Sequence, residues 1–204
     1  MEDLNKRLIS LYEKLLKKHN YQGWWPIKGK YHPRDYTYPK NKEEIFEIII
    51  GAILTQNTLW KNVEKSLEKL HENNLISLQT LLKTSNQKLA QLIKSAGYFN
   101  QKIKKLKLFA EFHLKNERRI PLRKELLNIW GIGKETADSI LLYAYKRPIF
   151  VVDNYTKKIA EKYLGVNSSD YDELQDLFHK NLPRDYKLYN EFHALIVAEG
   201  KNLK

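Results

Sequence analysis

Between Leu127 and Asp153 the chain has to make one tight reversal between helical segments and then bring a carboxylate out of an apolar run. Gly131 and Gly133 bracket the single apolar residue Ile132. The backbone can therefore turn without a Cβ clash, and the amides after Gly133 are left without partners at a helix start. Lys134 follows at once. Amide donors, a helix dipole and one cation together make a grip for a phosphate. Ala137, Ile140, Leu141 and Ala144 then recur at helical spacing, the helix stops before Pro148, and Ile149 to Val152 leads to Asp153.

The rest of the chain reads as helix. Leu4, Leu8, Leu11, Leu15 and Leu16 place one apolar face on a segment from Glu2 to His19. Residues 20–40 break the period: Gly, Pro, Trp and Tyr crowd into an irregular connection whose most unusual element is Trp24-Trp25-Pro26. Asn41 can cap a second helix that runs to Gln56 and is almost wholly apolar from Ile45 to Leu54, which predicts a central position. Further helices are expected over Leu59 to His71, near Leu78 to Lys83, over Gln87 to Ser95, Gln101 to Asn116 and Leu122 to Ile129. Three more cover Tyr155 to Tyr163, Tyr171 to Lys180 and Leu188 to about Lys201. No segment alternates convincingly as a strand, so an all-α fold of about ten helices is expected.

Thirty-six Lys and Arg stand against 24 acids in 204 residues, a formal charge of +12. Such a surplus attracts a polyanion, nucleic acid first among them. The sequence has no cysteine. Disulfides, thiolate zinc sites and cysteine-ligated iron–sulfur clusters are thereby excluded. No apolar run reaches membrane-spanning length and the first residues lack a signal-type apolar core, so a soluble, cytoplasmic, nucleoid-associated monomer is expected.

Three separated segments resemble one family, the helix-hairpin-helix, Gly-Pro-Asp superfamily of DNA base-excision glycosylases of the endonuclease III type. Leu127 to Ile140 resembles its hairpin and Pro148 to Asp153 its Pro-to-Asp turn. Gly51-Ala52-Ile53-Leu54-Thr55-Gln56-Asn57-Thr58 is similar to the helix end lining its lesion pocket. Gly97-Tyr98-Phe99-Asn100-Gln101-Lys102 adds a fourth match, to the family's DNA-wedging loop. The resemblance implies two helical domains flanking a cleft: a six-helix barrel with the hairpin over 41–147, and a second domain assembled from 1–40 and 148–204. The partner implied is double-stranded DNA with a damaged base flipped into the cleft.

Residue by residue, the resemblance implies that Asp153 is the catalytic acid. A carboxylate near C1′ stabilises the positive charge that builds on the sugar as the base leaves, and it can orient water. The same residue suits a helix N-cap, a compatible role. Glu135 stands where bifunctional members carry a Schiff-base Lys, and a carboxylate cannot form that imine. Lys134 would project about 100° away around the helix. A monofunctional enzyme is therefore expected, with Glu135 near the flipped nucleotide. Gln56 matches the residue that fills the hole left by the flipped base, and Tyr98 the wedge in the opposite strand. Gly131, Gly133, Lys134 and Thr136 would hold the DNA backbone, with Lys102, Lys104 and Lys105 on phosphate or in solvent. The carbonyls of Leu127, Ile129 and Ile132 can hold a monovalent cation, Na⁺ or K⁺; no other cofactor is expected. Endonuclease III relatives carry a four-cysteine cluster loop after their last helix, and this sequence reaches Lys204 without one.

Trp24, Trp25, Pro26 and Trp60 lie at positions resembling the pocket of a helix-hairpin-helix branch of 3-methyladenine DNA glycosylases typified by a Helicobacter enzyme, with Lys201 turning back toward it. An alkylated purine is cationic, so a π-rich slot favours it over the neutral base. Two other readings stand beside this one: excision of a neutral mispaired or damaged base such as adenine or uracil, and a non-catalytic DNA-binding module.

Overall fold

The computed structural model describes residues 3–116 and 119–203. Among them are eleven α-helices, and extended pairing is limited to an isolated bridge between Ile27 and Lys30. Two compact units result, one formed by Met1–Trp25, Tyr31–Tyr36 and Leu141–Lys204, the other by Pro26–Lys30 and Thr37–Ile140.

The first unit contains α1 (Leu4–His19), α9 (Asn154–Ile159), α10 (Tyr171–Asn181) and α11 (Tyr186–Gly200). Glu2, where the sequence places the start of α1, lies outside the described residues; Asp3 caps the helix by accepting from the Asn5 amide. The expected leucine face is the buried one, with Leu8, Leu11 and Leu15 at most 5% exposed. α1 and α9 both pack on α11. The run before Asp153 forms the centre of this unit. Phe150 stacks on Phe178 with ring centroids 3.9 Å apart and meets Tyr189 and Phe192 edge-on. Two helices end in π-helical stretches, Ile140–Ala144 after the hairpin helix and Ala160–Leu164 after α9.

The second unit is built round α2 (Lys42–Leu54), which packs against α3 (Trp60–Glu72), α6 (Phe99–Lys115) and α8 (Lys134–Ser139). The short helices α4 (Leu78–Lys83), α5 (Asn86–Ile93) and α7 (Arg123–Leu127) complete it, with a 3₁₀ turn at Lys94–Ala96. Asn41 caps α2 by accepting from the Glu44 amide, as its residue type requires. Ile48, Ile49, Ile50, Ile53 and Leu54 are all but completely buried, which is why this helix carries almost no polar face. The exception is Glu47, also 1% exposed, whose Oε1 accepts from the Lys28 amide and whose Oε2 lies 3.0 Å from His71 Nε2. Across the hairpin, Arg123 clamps the buried Asp138 through Nε and Nη2 at 2.7 and 2.9 Å, fastening α7 to α8.

Phe150 is fully buried among rings that converge from α10 and α11. Phe150→Ala should lower the unfolding free energy by about 3–5 kcal/mol, read as a shift in the denaturant midpoint at unchanged slope.

Candidate functional site

The candidate site is built on a helix start. Val151 and Val152 are buried, and the chain reaches Asp153 in the β region before turning into α9. Asp153 Oδ1 accepts from the Thr156 amide at 2.7 Å and from the Thr156 hydroxyl at 2.9 Å, so this oxygen is committed to the helix cap. Oδ2 faces His193 Nε2 at 3.7 Å. That separation is too long for a hydrogen bond, and the imidazole attracts the carboxylate by charge when it carries a proton. Burial by itself would raise the Asp153 carboxyl; the opposing pull of His193 and of Thr156 outweighs it and leaves the group below its usual 3.8. The result is an ionised carboxylate held in a desolvated position, one oxygen spent on structure and the other available.

His193 comes from α11 and is fixed by a 2.6 Å bond between its Nδ1 and the Tyr143 hydroxyl. Burial, reinforced by Asp153 and Glu191, pushes the Tyr143 phenol well above 10, so it stays protonated. The Tyr143 ring meets Trp25 edge-on at 5.2 Å; Trp25 meets Trp24 at 5.4 Å, and Trp24 meets Tyr31 at 5.7 Å. An aromatic file thus runs from the acid outward, from the fully buried Tyr143 side to Tyr31 at 40% exposure. Two devices place the tryptophans. At Gly23, with φ +70°, any Cβ would lie within 2.6 Å of the His32 and Pro33 backbone, so only glycine lets the loop close on itself. Glu191, fully buried on α11, then accepts from the Gln22 amide at 2.6 Å and the Tyr36 hydroxyl at 2.9 Å, docking both ends of the loop on the helix.

In the second unit, Pro26 and Trp60 line a cavity of about 1000 Å³ whose wall also holds Glu47 and His71. The expected pocket residues therefore fall in two groups: Trp24 and Trp25 with Asp153 in the first unit, Pro26 and Trp60 in the second. Lys201 caps the end of α11 and is exposed.

The hairpin holds Gln56 tightly. Its Nε2 donates to the Gly131 carbonyl at 3.0 Å and to the Thr136 hydroxyl at 2.9 Å, while Lys105 Nζ donates to its Oε1 at 2.5 Å. Gly131 has φ +81°, a conformation that favours glycine, and a Cβ there would sit 2.4 Å from Lys105 Cε, so the glycine leaves the lysine room to cross the hairpin. Gly133 caps α8; Gly133 and Glu135 are exposed, Lys134 is partly so, and Thr136 is buried. Tyr98, left-handed at φ +45°, is 67% exposed. The Ile129 carbonyl accepts from the Ile132 amide at 3.0 Å. Among the described residues no cluster of His, Asp and Glu could hold a metal, and no helix is long and apolar enough to cross a membrane.

Lys102 departs from expectation. Placed on phosphate or in solvent by the sequence, it is 1% exposed, because its ammonium is drawn inward by carbonyls at the ends of two helices. Conversely, nothing in the sequence singles out His193 or Tyr143, which only folding brings to Asp153. Trp130 did carry a signal, a tryptophan beside the Gly-x-Gly turn. It is half-exposed, with Lys104 Nζ 4.2 Å from its ring.

Because the Asp153 carboxyl is held below 3.8, its contribution to stability is present above that pH and is lost as pH falls through the folded value. His193→Gln removes the opposing pull but not the burial. The melting temperature of this variant should therefore be lower than wild type at pH 7, and its fall between pH 7 and pH 3 should be shallower.

Residues 50–184 match the family described as HhH-GPD superfamily base excision DNA repair protein. A Methanocaldococcus jannaschii relative assigned by name to the DNA repair glycosylases is 40% identical over 98% of this chain and 90% of its own. An endonuclease III of Thermotoga maritima is 29% identical over 81% of this chain and 78% of its own. Among solved structures, the H. pylori 3-methyladenine DNA glycosylase bound to 1,N6-ethenoadenine superposes with a TM-score of 0.79, at 32% identity and 99% coverage of both chains. A thermostable thymine-DNA glycosylase, at 20% identity and a TM-score of 0.71 over 96% of this chain and 87% of its own, shares the fold. With a helix-hairpin-helix followed by a capped, desolvated aspartate and matched over most of its length, the chain belongs to the HhH-GPD superfamily of base-excision DNA repair proteins and is a DNA glycosylase.

Proposed function

We propose that the protein is a monofunctional glycosylase that hydrolyses the N-glycosidic bond of alkylated purines of the 3-methyladenine kind in duplex DNA. One observation carries the reading: the ionised Asp153 lies at the end of a continuous file formed by His193, Tyr143, Trp25 and Trp24. Departure of a base leaves positive charge at C1′, and a desolvated carboxylate stabilises that charge far better than a hydrated one. A π-rich surface beside it favours a cationic ring over a neutral base. An alkylated purine is already a good leaving group, so the site needs no strong general acid. Similarity to the H. pylori 3-methyladenine DNA glycosylase, solved with 1,N6-ethenoadenine bound, supports the substrate class.

In this reading Lys134, Gly131, Gly133 and Thr136 hold the DNA backbone at the hairpin, with Trp130 and Lys104 beside them. Gln56 occupies the gap left by the displaced nucleotide and Tyr98 wedges the facing strand. Trp60, Pro26 and Lys201 belong to the wider recognition surface. A monovalent cation, when present, would be held by the hairpin carbonyls of Leu127, Ile129 and Ile132. Glu135, where a lyase would carry its amine nucleophile, directs the reaction to water rather than to an imine.

Methylated DNA incubated with the protein should release free 3-methyladenine, identified chromatographically, and borohydride should trap no covalent complex. Activity confined to mismatched adenine or uracil would overturn the alkylation reading, and a trapped adduct the monofunctional one. Asp153→Asn should slow release by about 10²-fold or more while DNA affinity changes by less than about threefold.

A further inference from the structure

Lys102 is a fully buried cation outside the catalytic file, and its bonds join two segments that are distant in sequence. Its Nζ donates to the carbonyl of Leu54, the last residue of α2, at 2.7 Å. It also donates to the carbonyl of Ala96, the last residue of the 3₁₀ turn, at 2.7 Å. Both acceptors are helix-end carbonyls that lack an intrahelical partner and carry the negative end of the dipole, so an ammonium is the natural group to satisfy them. Gln56 lies just beyond Leu54, and Tyr98 just beyond Ala96. A second bond crosses the same gap, from the Thr58 hydroxyl to the Ala96 carbonyl at 2.6 Å. The Lys102 backbone amide also donates to the Tyr98 carbonyl at 3.1 Å.

We propose that Lys102 is a positioning residue that ties the segment carrying Gln56 to the segment carrying Tyr98, so that both side chains enter the duplex at one set spacing when a base is displaced. The proposal rests on the roles given to Gln56 and Tyr98 above. Burial, reinforced by the neighbouring Lys105, brings the Lys102 amine down to about 8, so keeping an ammonium there costs free energy that a solvent-facing lysine would not incur. A leucine or methionine would fill the space without that cost but would deprive the Leu54 carbonyl of its ammonium and leave the Thr58 hydroxyl as the remaining bond from one segment to the Ala96 carbonyl. Tyr98 is 67% exposed and left-handed, so it has few contacts of its own to hold its segment in place.

The test uses a duplex carrying a tetrahydrofuran abasic analogue opposite 2-aminopurine, a probe that does not depend on which base the enzyme excises. Saturating wild-type protein should raise the 2-aminopurine fluorescence as the facing strand is wedged open. Lys102→Met should bind within about threefold of the wild-type affinity yet give less than about half of that rise. Thr58→Val, which removes only the hydroxyl bond to the Ala96 carbonyl, supplies a milder loosening if Lys102→Met does not fold; it should give a smaller but measurable loss. Because the chain has no cysteine, nitroxides at Asn57→Cys and Asn100→Cys report the spacing directly, and their distance distribution should broaden in both variants. A full fluorescence rise with an unchanged distance distribution in either folded variant would overturn the positioning role. Absence of any rise with wild-type protein that binds the duplex would overturn the assignment of Gln56 and Tyr98, and the proposal with it.

Discussion

The bond from the Thr156 amide to Asp153 Oδ1 is the constraint on which the candidate site depends. A helix beginning in a protein interior leaves amides without partners, and a carboxylate at the N-cap satisfies one of them while benefiting from the dipole. Here the cap also determines which oxygen remains. With Oδ1 held by Thr156, the torsions of the side chain are set, and Oδ2 is the atom presented to His193. Precision of this kind in placing a carboxylate needs no dedicated scaffold, because the requirement of the helix for a cap supplies it. The run Phe150 to Val152 anchors the cap from behind, since Phe150 is locked among the rings of Phe178, Tyr189 and Phe192 and both valines are buried.

Buried charges recur through both units, and each joins two or more separate elements. Glu191 holds the two ends of the tryptophan loop on α11. Glu199 gathers Lys18, His19 and Tyr163 at the other end of that helix. Glu47 joins the Lys28 turn to α3 through His71, and Arg123 with Asp138 closes the hairpin helices on each other. An unpaired charge in such positions would cost several kcal/mol, roughly the desolvation penalty of the ion, so these pairs are poor sources of net stability but strong determinants of which arrangement is allowed. In a glycosylase whose groups must act on one nucleotide, uniqueness of arrangement matters more than a modest gain in stability.

The helices were legible because their signals are local. Asn41 caps α2, the leucines of α1 share a face, and Leu78–Lys83 forms a helix where the periodicity indicated one. Boundaries shifted where local signals compete. The helix expected to end at Gln56 stops at Leu54, since the polar turn that follows bonds back to Gly51 and outward to the hairpin. The segment expected to continue to Tyr163 relaxes into a π-helical stretch after Ile159. Long-range polar contacts were not legible. Lys102 is one of several lysines along α6, and nothing in its sequence neighbourhood distinguishes the one that is buried; Leu54 and Ala96 do so only once folded. Trp24 and Trp25 could be singled out as unusual, but not the Tyr143 and His193 that connect them to Asp153.

The amino-acid sequence by itself determined an all-helical protein with a glycine-bracketed hairpin, an aspartate emerging from an apolar run, a strongly basic balance and no thiol chemistry. All of these follow from side-chain type, short-range spacing and composition, which act without knowledge of the fold. Tertiary structure alone decided that His193 would oppose Asp153, that Tyr143 would join it to the tryptophans, and that Lys102 would be an internal tie instead of a surface cation. Those contacts depend on how helices pack, and electrostatic interactions fall off over distances far shorter than the sequence separations they bridge.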